Sequence, residues 1–169
     1  MEIVIRKLLE TEEAPYHLLL EADPSKMKIA EYLKTGIVFV AEYQHELVGV
    51  IVVVPRGEED EIVNIAVEAK YRGRGIAKKL LHFVTKQSEA SGKHHVVIGT
   101  GNSSINQLAL YQKCGFRIET IIKNYFIDNY EEAIFENGIQ CMDMIVLKKT
   151  YKILKKSKSY ETISKLNRL

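Results

Sequence analysis

Two glycines within residues 71–81, YRGRGIAKKLL, constrain this chain more than any other pair of residues. They follow the apolar run 62–67 and precede an amphipathic helix, so a strand, a tight turn and a helix must join within a few residues. Gly73 and Gly75 have no Cβ, which lets the chain bend sharply and brings its N–H groups close to a ligand. The first turn of the helix adds unpaired donors and the positive end of its dipole. Such a join holds an anion, and a pyrophosphate is the expected one.

A chain of 169 residues, 46% apolar and 27% charged, lies in the ordinary range of one globular domain with one core. The opening MEIVIRKLLE alternates like a strand, and the longest apolar stretch, residues 47–54, is too short to span a bilayer. Neither a signal peptide nor a membrane helix is therefore expected, and the expected location is cytoplasmic. Cys114 and Cys141 stand apart, and His17, His45, His82, His94 and His95 show no metal-ligand spacing, so neither a disulfide framework nor a metal is expected. The net charge of +2 hides an asymmetry: residues 148–169 hold eight lysines and arginines against Glu161 alone, leaving 16 basic and 21 acidic residues before them. The expected organisation is a domain over residues 1–148 and a basic tail over 149–169. The tail reads as a solvated terminus or as a contact for a partner or an anionic surface; nucleic acid is not the expected partner.

Residues 2–8 alternate as a first strand, and residues 11–20 and 24–34 have helical apolar spacing, with Asp23 as the expected N-cap of the second helix and Gly36 as its stop. Residues 37–43 and 47–54 read as a hairpin around Gln44-His45-Glu46. Residues 56–60 then turn the chain into a third antiparallel strand at 61–67. Residues 75–91 place Ile76, Leu80, Phe83 and Val84 along one side of a helix that Gly92 ends. A strand at 95–99 follows, then a helix at 104–113 with a Ser104/Gln107 capping box and Gly115 at C′. Strands at 116–125 and 140–147, joined by an acidic loop at 127–138, complete a mixed α/β order.

Arg72, Gly75 and Ala77 fit Gln/Arg-x-x-Gly-x-Gly/Ala, and residues 102–116 read NSSINQLALYQKCGF. The pair resembles the acetyl-CoA loop and the Leu-Tyr-x-x-x-Gly-Phe helix end of the GNAT superfamily of acyl-CoA-dependent N-acetyltransferases, over residues 1–148. The resemblance implies an α/β GNAT fold, with a mixed, mostly antiparallel central sheet of about seven strands, splayed between strands four and five and flanked by about four helices. It implies acetyl-CoA as co-substrate, with the pantetheine arm along the backbone of Ile65, Ala66 and Val67. The pyrophosphate would rest on amides of Arg72, Gly73, Arg74, Gly75, Ile76 and Ala77, and Asn106 would face the cofactor arm. A backbone N–H at a bulge near Ala66 or Val67 would meet the thioester carbonyl. The chain departs from the Asn-x-x-Ala of many relatives, carrying Ser104 and Gln107 at those places.

Acetyl transfer to an amine needs a neutral nucleophile. An alkyl ammonium of pKa about 10.4 is deprotonated in only about one part in 2,500 at pH 7, about 4.6 kcal/mol, so a base or a proton-draining water chain helps. Glu61, 11 residues before Arg72, stands where some GNAT members carry a base glutamate; it fits equally an exposed carboxylate opening a strand, with ordered water as the base. Tyr111 occupies the place of the family's general-acid tyrosine, and the alternative is a ring packed on the sheet. The acids Asp128, Glu131, Glu132 and Glu136, with no basic residue in the 127–138 loop, favour a cationic acceptor, either a small-molecule amine or an amine on a peptide. The rival reading is a non-catalytic acyl-CoA-binding sensor, and the oligomeric state stays open between monomer and homodimer.

Overall fold

Val and Ile fill the long strands of this chain, and the computed structural model, which describes residues 1–151, places those strands in one central sheet. The order is β1 (Val4–Lys7), α1 (Tyr16–Ala22), α2 (Lys26–Leu33), β2 (Ile37–Tyr43), β3 (Glu46–Arg56), β4 (Glu59–Val67), α3 (Ile76–Ala90), β5 (His95–Gly101), α4 (Ile105–Lys113), β6 (Arg117–Ile122), α5 (Tyr125–Asn129), β7 (Ile134–Glu136), β8 (Ile139–Cys141) and β9 (Met144–Thr150). Seven strands pair in the order β1-β2-β3-β4-β5-β9-β6, and β7 and β8 form a separate hairpin. Every pairing is antiparallel except β4 with β5. This is the splayed, mostly antiparallel sheet expected, with five α-helices among the described residues. From Lys152 onward the expected basic tail lies outside those residues.

Each face of the sheet carries its own core. On one side Leu18, Leu19 and Ile29 of α1 and α2 cover Val40, Val50, Val52 and Ala66. On the other, Ile76, Leu80, Leu81 and Val84 of α3 and Tyr111 of α4 cover Ala41, Ile51, Val53, Ile62, Val67, Val96 and Ile98. Gly49 of β3 lets α3 lie close, because a Cβ there would stand 3.1 Å from Leu80 and 3.2 Å from Ile76.

Strand β4 breaks the regular alternation of its own side chains. It pairs Val52 with Asn64 but Val53 with Ile62, so Val63 is an extra residue and the strand bulges there. Strict alternation would put residues 62, 64 and 66 on one face. The bulge instead leaves Ile62 with the α3 core and sends Val63 and Ala66 to the α1–α2 core. The bulge expected near Ala66 or Val67 is therefore three residues or more upstream.

Other boundaries differ for local reasons. The first helix begins at Tyr16 rather than at residue 11, since Pro15 disfavours helical geometry at Ala14 and Glu12 is spent elsewhere. Its carboxylate binds the Arg6 guanidinium at 2.7 and 2.8 Å and accepts the Leu9 N–H at 2.8 Å. The N-cap of α2 is Ser25, which accepts from Lys28 N, while Asp23 instead caps the end of α1 and accepts from Ser25 N. The β2–β3 turn takes only Gln44 and His45, both left-handed at φ 50° and 66°, and Glu46 already pairs with Tyr43. The last strand runs from Met144 to Thr150 instead of 140–147, because residues 139–141 are taken by the β7–β8 hairpin.

The Arg6 guanidinium holds the Glu12 carboxyl down at about 2, below its ordinary 4.5. A carboxylate depressed in the folded state adds stability above its unfolded pKa and loses it as pH falls through the folded value. Glu12→Gln is expected to lower stability at neutral pH and to flatten the decline between pH 4.5 and 2, measured by urea melts across that range. A decline as steep as in the wild type would assign the acid sensitivity to other groups.

Candidate active site

The parallel β4–β5 ladder pairs Glu59 with His95 and ends at Ile62 with Ile98. Beyond it β4 continues to Val67, held by β3 on one side only. The β5-facing backbone from Val63 to Val67 is thus a free strand edge in the middle of the sheet, the kind of edge an extended chain pairs with. Ile65, Ala66 and Val67 lie on it.

That edge leads into the glycine turn. After a short 3-10 turn, Ala69–Tyr71, Gly73 and Gly75 both take left-handed φ, 74° and 78°, and Gly75 directly precedes α3. From Gly73 onward, the first backbone N–H with a backbone acceptor is that of Lys79, to Gly75 O. The amides of Gly73, Arg74, Gly75, Ile76, Ala77 and Lys78 have no backbone acceptor among the described residues, so a positive helix end and a row of donors coincide. Arg72 differs from the expectation: its N–H donates to Ala69 O, its Nε to Val67 O at 3.0 Å, and its terminal nitrogen to Glu21 at 2.7 Å. The side chain braces the turn against β4 and α1. Arg74 lies over the Tyr71 ring, 5.5 Å from its centre.

Tyr111 sits where α4 stops. Gly115 N–H donates to Gln112 O and Phe116 N–H to Tyr111 O, with Gly115 at φ 90°, a Schellman ending in which Tyr111 is C3 and Phe116 is C″. The two rings pack with centres 6.4 Å apart, and both are buried. The Leu-Tyr-x-x-x-Gly-Phe spacing is therefore also a helix stop whose hydrophobic contact is the tyrosine itself. Burial, with the nearby Glu136 and Cys114, pushes the Tyr111 phenol well above its ordinary value, so it holds its proton.

At the start of α4 the expected capping box does not form. Ser104 Oγ donates to the Glu136 carboxylate on β7, a stronger acceptor than its own helix offers a donor. Asn137 Nδ2 donates to Ser103 O, and Asn102 bridges Gln140 O with the N–H groups of Met142 and Asp143. These bonds tie the β7–β8 hairpin to the α4 entrance. Asn106, exposed on the first turn of α4, is available there.

Glu61 stands at the other side of the gap. The pleat puts it on the face opposite Ile62, toward α1 and α2. One carboxylate oxygen accepts from Arg56 Nε at 3.0 Å, and the side chain is about two-fifths exposed, 41%. Sequence reasoning passed over the polar and aromatic cluster that adjoins it. Asn64 Nδ2 donates to Leu19 O at 2.9 Å and to the Tyr32 hydroxyl at 2.8 Å, and the Tyr130 hydroxyl donates to Asp23 at 3.2 Å. Lys28 Nζ lies 4.6 Å from the Tyr130 ring centre and 5.7 Å from that of Tyr125. Burial first, then the Asp23 charge, raises the Tyr125 phenol, and Glu61 adds to the shift. The one available signal was Asn64 itself, an amide inside an otherwise apolar strand.

A free strand edge thus ends at a helix N-terminus, with the Tyr111 phenol on one side of the sheet and the Glu61 carboxylate on the other. Among known families, the acetyltransferase (GNAT) domain matches residues 34–118. The uncharacterized N-acetyltransferase YvbK of Bacillus subtilis is 48% identical over 139 residues, 82% of this chain and 90% of that one. A GNAT family acetyltransferase of Elizabethkingia anophelis, solved with acetyl-CoA bound, superposes with a TM-score of 0.86 at 47% identity, covering 88% of this chain and 98% of that one. An IAA acetyltransferase of Bacillus cereus gives 0.85 at 46% identity, covering 89% and 100%. The chain belongs to the GNAT family, the acetyl-CoA-dependent N-acetyltransferases. No group of three metal-ligating side chains occurs among the described residues, and no helix there is long and apolar enough to cross a membrane.

Nothing lies within 4 Å of a Cβ built on Gly75, so any cost of a side chain there is conformational. Gly75→Ala is expected to destabilise the protein by about 1–2 kcal/mol, the cost of left-handed geometry in an L-residue. A urea melt would show a lower midpoint with an unchanged slope. An unchanged midpoint would mean that the turn relaxes to another conformation.

Proposed function

We propose that this enzyme acetylates a cationic primary amine, on a small molecule or a peptide, by direct attack on the thioester. The observation that carries the reading is the free β4 edge leading straight into the unpaired amides of the α3 turn. Acetyl-CoA supplies the activated acyl group and a thiol leaving group. The backbone of Ile65, Ala66 and Val67 binds the pantetheine arm, and the amides of Gly73 to Ala77 bind the pyrophosphate. The Arg72 side chain holds the turn in place.

Glu61 takes the proton that the amine must lose. Tyr111 gives one to the departing sulfur. Between a phenol near 10 and a thiol near 8.5 that transfer is uphill by about 2 kcal/mol, and burial of Tyr111 makes it steeper, so the proton moves only as negative charge gathers on sulfur within hydrogen-bond reach. Of the loop acids, Glu136 is occupied by Ser104, whereas Asp128, Glu131 and Glu132 are exposed and supply the field that draws a cation. The place of action is proposed to be the cytoplasm.

Calorimetry with acetyl-CoA, followed by thiol release over spermidine, tyramine, lysine and a basic peptide, tests the reading; binding without turnover on any amine would make the chain a sensor instead. Tyr111→Phe is expected to lower kcat by about 100-fold or more while leaving acetyl-CoA affinity unchanged. Full activity would return Tyr111 to a purely packing role. Reversing charge at Glu131 and Glu132 is expected to raise KM for cationic amines in low salt and to have little effect in high salt. Equal KM values for all acceptors would end the steering argument.

A further inference from the structure

The two edges of the central sheet are built differently. β1 is four residues long and its Arg6 is ion-paired to Glu12 and Glu42, a short charged edge of the kind that discourages further pairing. β6 pairs with β9 alone among the described residues, and all six of its residues are exposed. Its isoleucines, Ile118, Ile121 and Ile122, are 52%, 50% and 43% exposed. The register assigns their faces. Ile118 and Ile121 stand opposite Leu147 and Ile145, which pack in or against the core under α3 and α4, whereas Ile122 stands opposite Met144 and points to the other face. A partner lying on one face of β6 would leave an isoleucine in water. One that adds a strand to the edge flanks all three.

We propose that β6 pairs antiparallel with β6 of a second copy of this chain, about a two-fold axis at Ile121, and joins the two central sheets into one. An axis normal to the sheet keeps every side chain on its own face, so the residue at the axis must oppose itself. With the axis at Ile121 the two isoleucines meet, Thr120 meets Ile122, and Glu119 comes opposite Lys123 at both ends. Within each chain Glu119 already accepts from Lys148 and Lys123 donates to Asp143, so across the joint the charges alternate in sign: Lys148 and Glu119 of one copy, then Lys123 and Asp143 of the other. An axis at Thr120 would bring Lys123 toward Arg117, like charge on like, and one at Ile122 would press Lys123 against Ile121. The area also suits a second copy. Ile127 on α5 and Met142 ahead of β9 are exposed beside the end of β6, where Asn124 N–H binds Asp143 and Phe126 N–H binds Met142 O. With the three isoleucines they leave on the order of 400 Å² of apolar surface in water, near the roughly 450 Å² that an interface of about 800 Å² per partner contains. β9 and β5 separate this edge from the β4–β5 parting, which the second copy leaves open.

Sedimentation velocity of the full chain at micromolar concentration tests the pairing, and the expected species has twice the 19.3 kDa mass of one chain. Ile121→Arg sets two guanidinium groups against each other at the axis and is expected to weaken the dimer at least 100-fold. Because Ile121 is half in water, the variant is expected to keep the wild-type circular dichroism and melting midpoint, which separates lost pairing from lost folding. A second variant, Ile121→Cys, treated with a short bismaleimide, is expected to give a dimer linked between the two copies of position 121, mapped by mass spectrometry apart from Cys114 and Cys141. A wild type that sediments as a single chain would overturn the proposal and leave the edge to a different partner. A dimer that Ile121→Arg leaves intact, or cross-links that spare position 121, would overturn it as well.

Discussion

The parting of β4 from β5 after Ile62 is the constraint on which the rest of this molecule depends. Strands of one sheet normally satisfy each other's backbone groups along their whole length, and an interior edge left bare is costly. Here the bulge at Val63 adds twist and turns β4 away from its parallel neighbour, while β3 keeps hold of the other side. The same bulge moves Asn64 to the face of Glu61. One extra residue thus parts the strands and sorts the side chains of β4 between the two cores.

Opposite faces then carry opposite tasks. Glu61 and Asn64 look toward α1 and α2, whereas Tyr111 belongs to the core under α3 and α4. In the proposed reaction the nucleophile loses a proton and the sulfur gains one, and the opening in the sheet would keep the proposed base, Glu61, and the proposed acid, Tyr111, on its two faces. The tie between Tyr130 and Asp23, with Lys28 over the two tyrosine rings, fastens the α5 segment to the α1–α2 junction.

Much of this could be read from residues alone where one local rule governs. Gly73 and Gly75 announce a left-handed turn because other residues pay for φ near 75°, and Gly115-Phe116 after Tyr111 announces a helix stop. The hairpin strands and α3 follow from β-branched runs and from helical spacing. What escaped reading depends on partners distant in sequence. Ser104 keeps the N-cap position of α4, but its hydroxyl turns to Glu136, 32 residues away, and Glu12 looks helical until Arg6 claims it. The bulge leaves no composition signal, since Val63 is as ordinary a strand residue as its neighbours. Only the misfit of Asn64 hinted that the alternation fails there.

In the proposed mechanism Tyr111 serves both the packing and the chemistry. As C3 of a Schellman ending its carbonyl is fixed by Phe116 N–H and its ring by the Phe116 ring, so the phenol is positioned by bonds that do not involve its hydroxyl. As the proposed proton donor, a phenol held this way would give up little entropy on engaging the sulfur. Burial has the opposite effect on the thermodynamics, because it stabilises the neutral phenol and makes phenolate harder to form. In the proposed reaction the two effects are reconciled by timing. A neutral phenol in a dry setting would give a strong hydrogen bond to the thiolate as it forms and pass its proton only as charge gathers on sulfur.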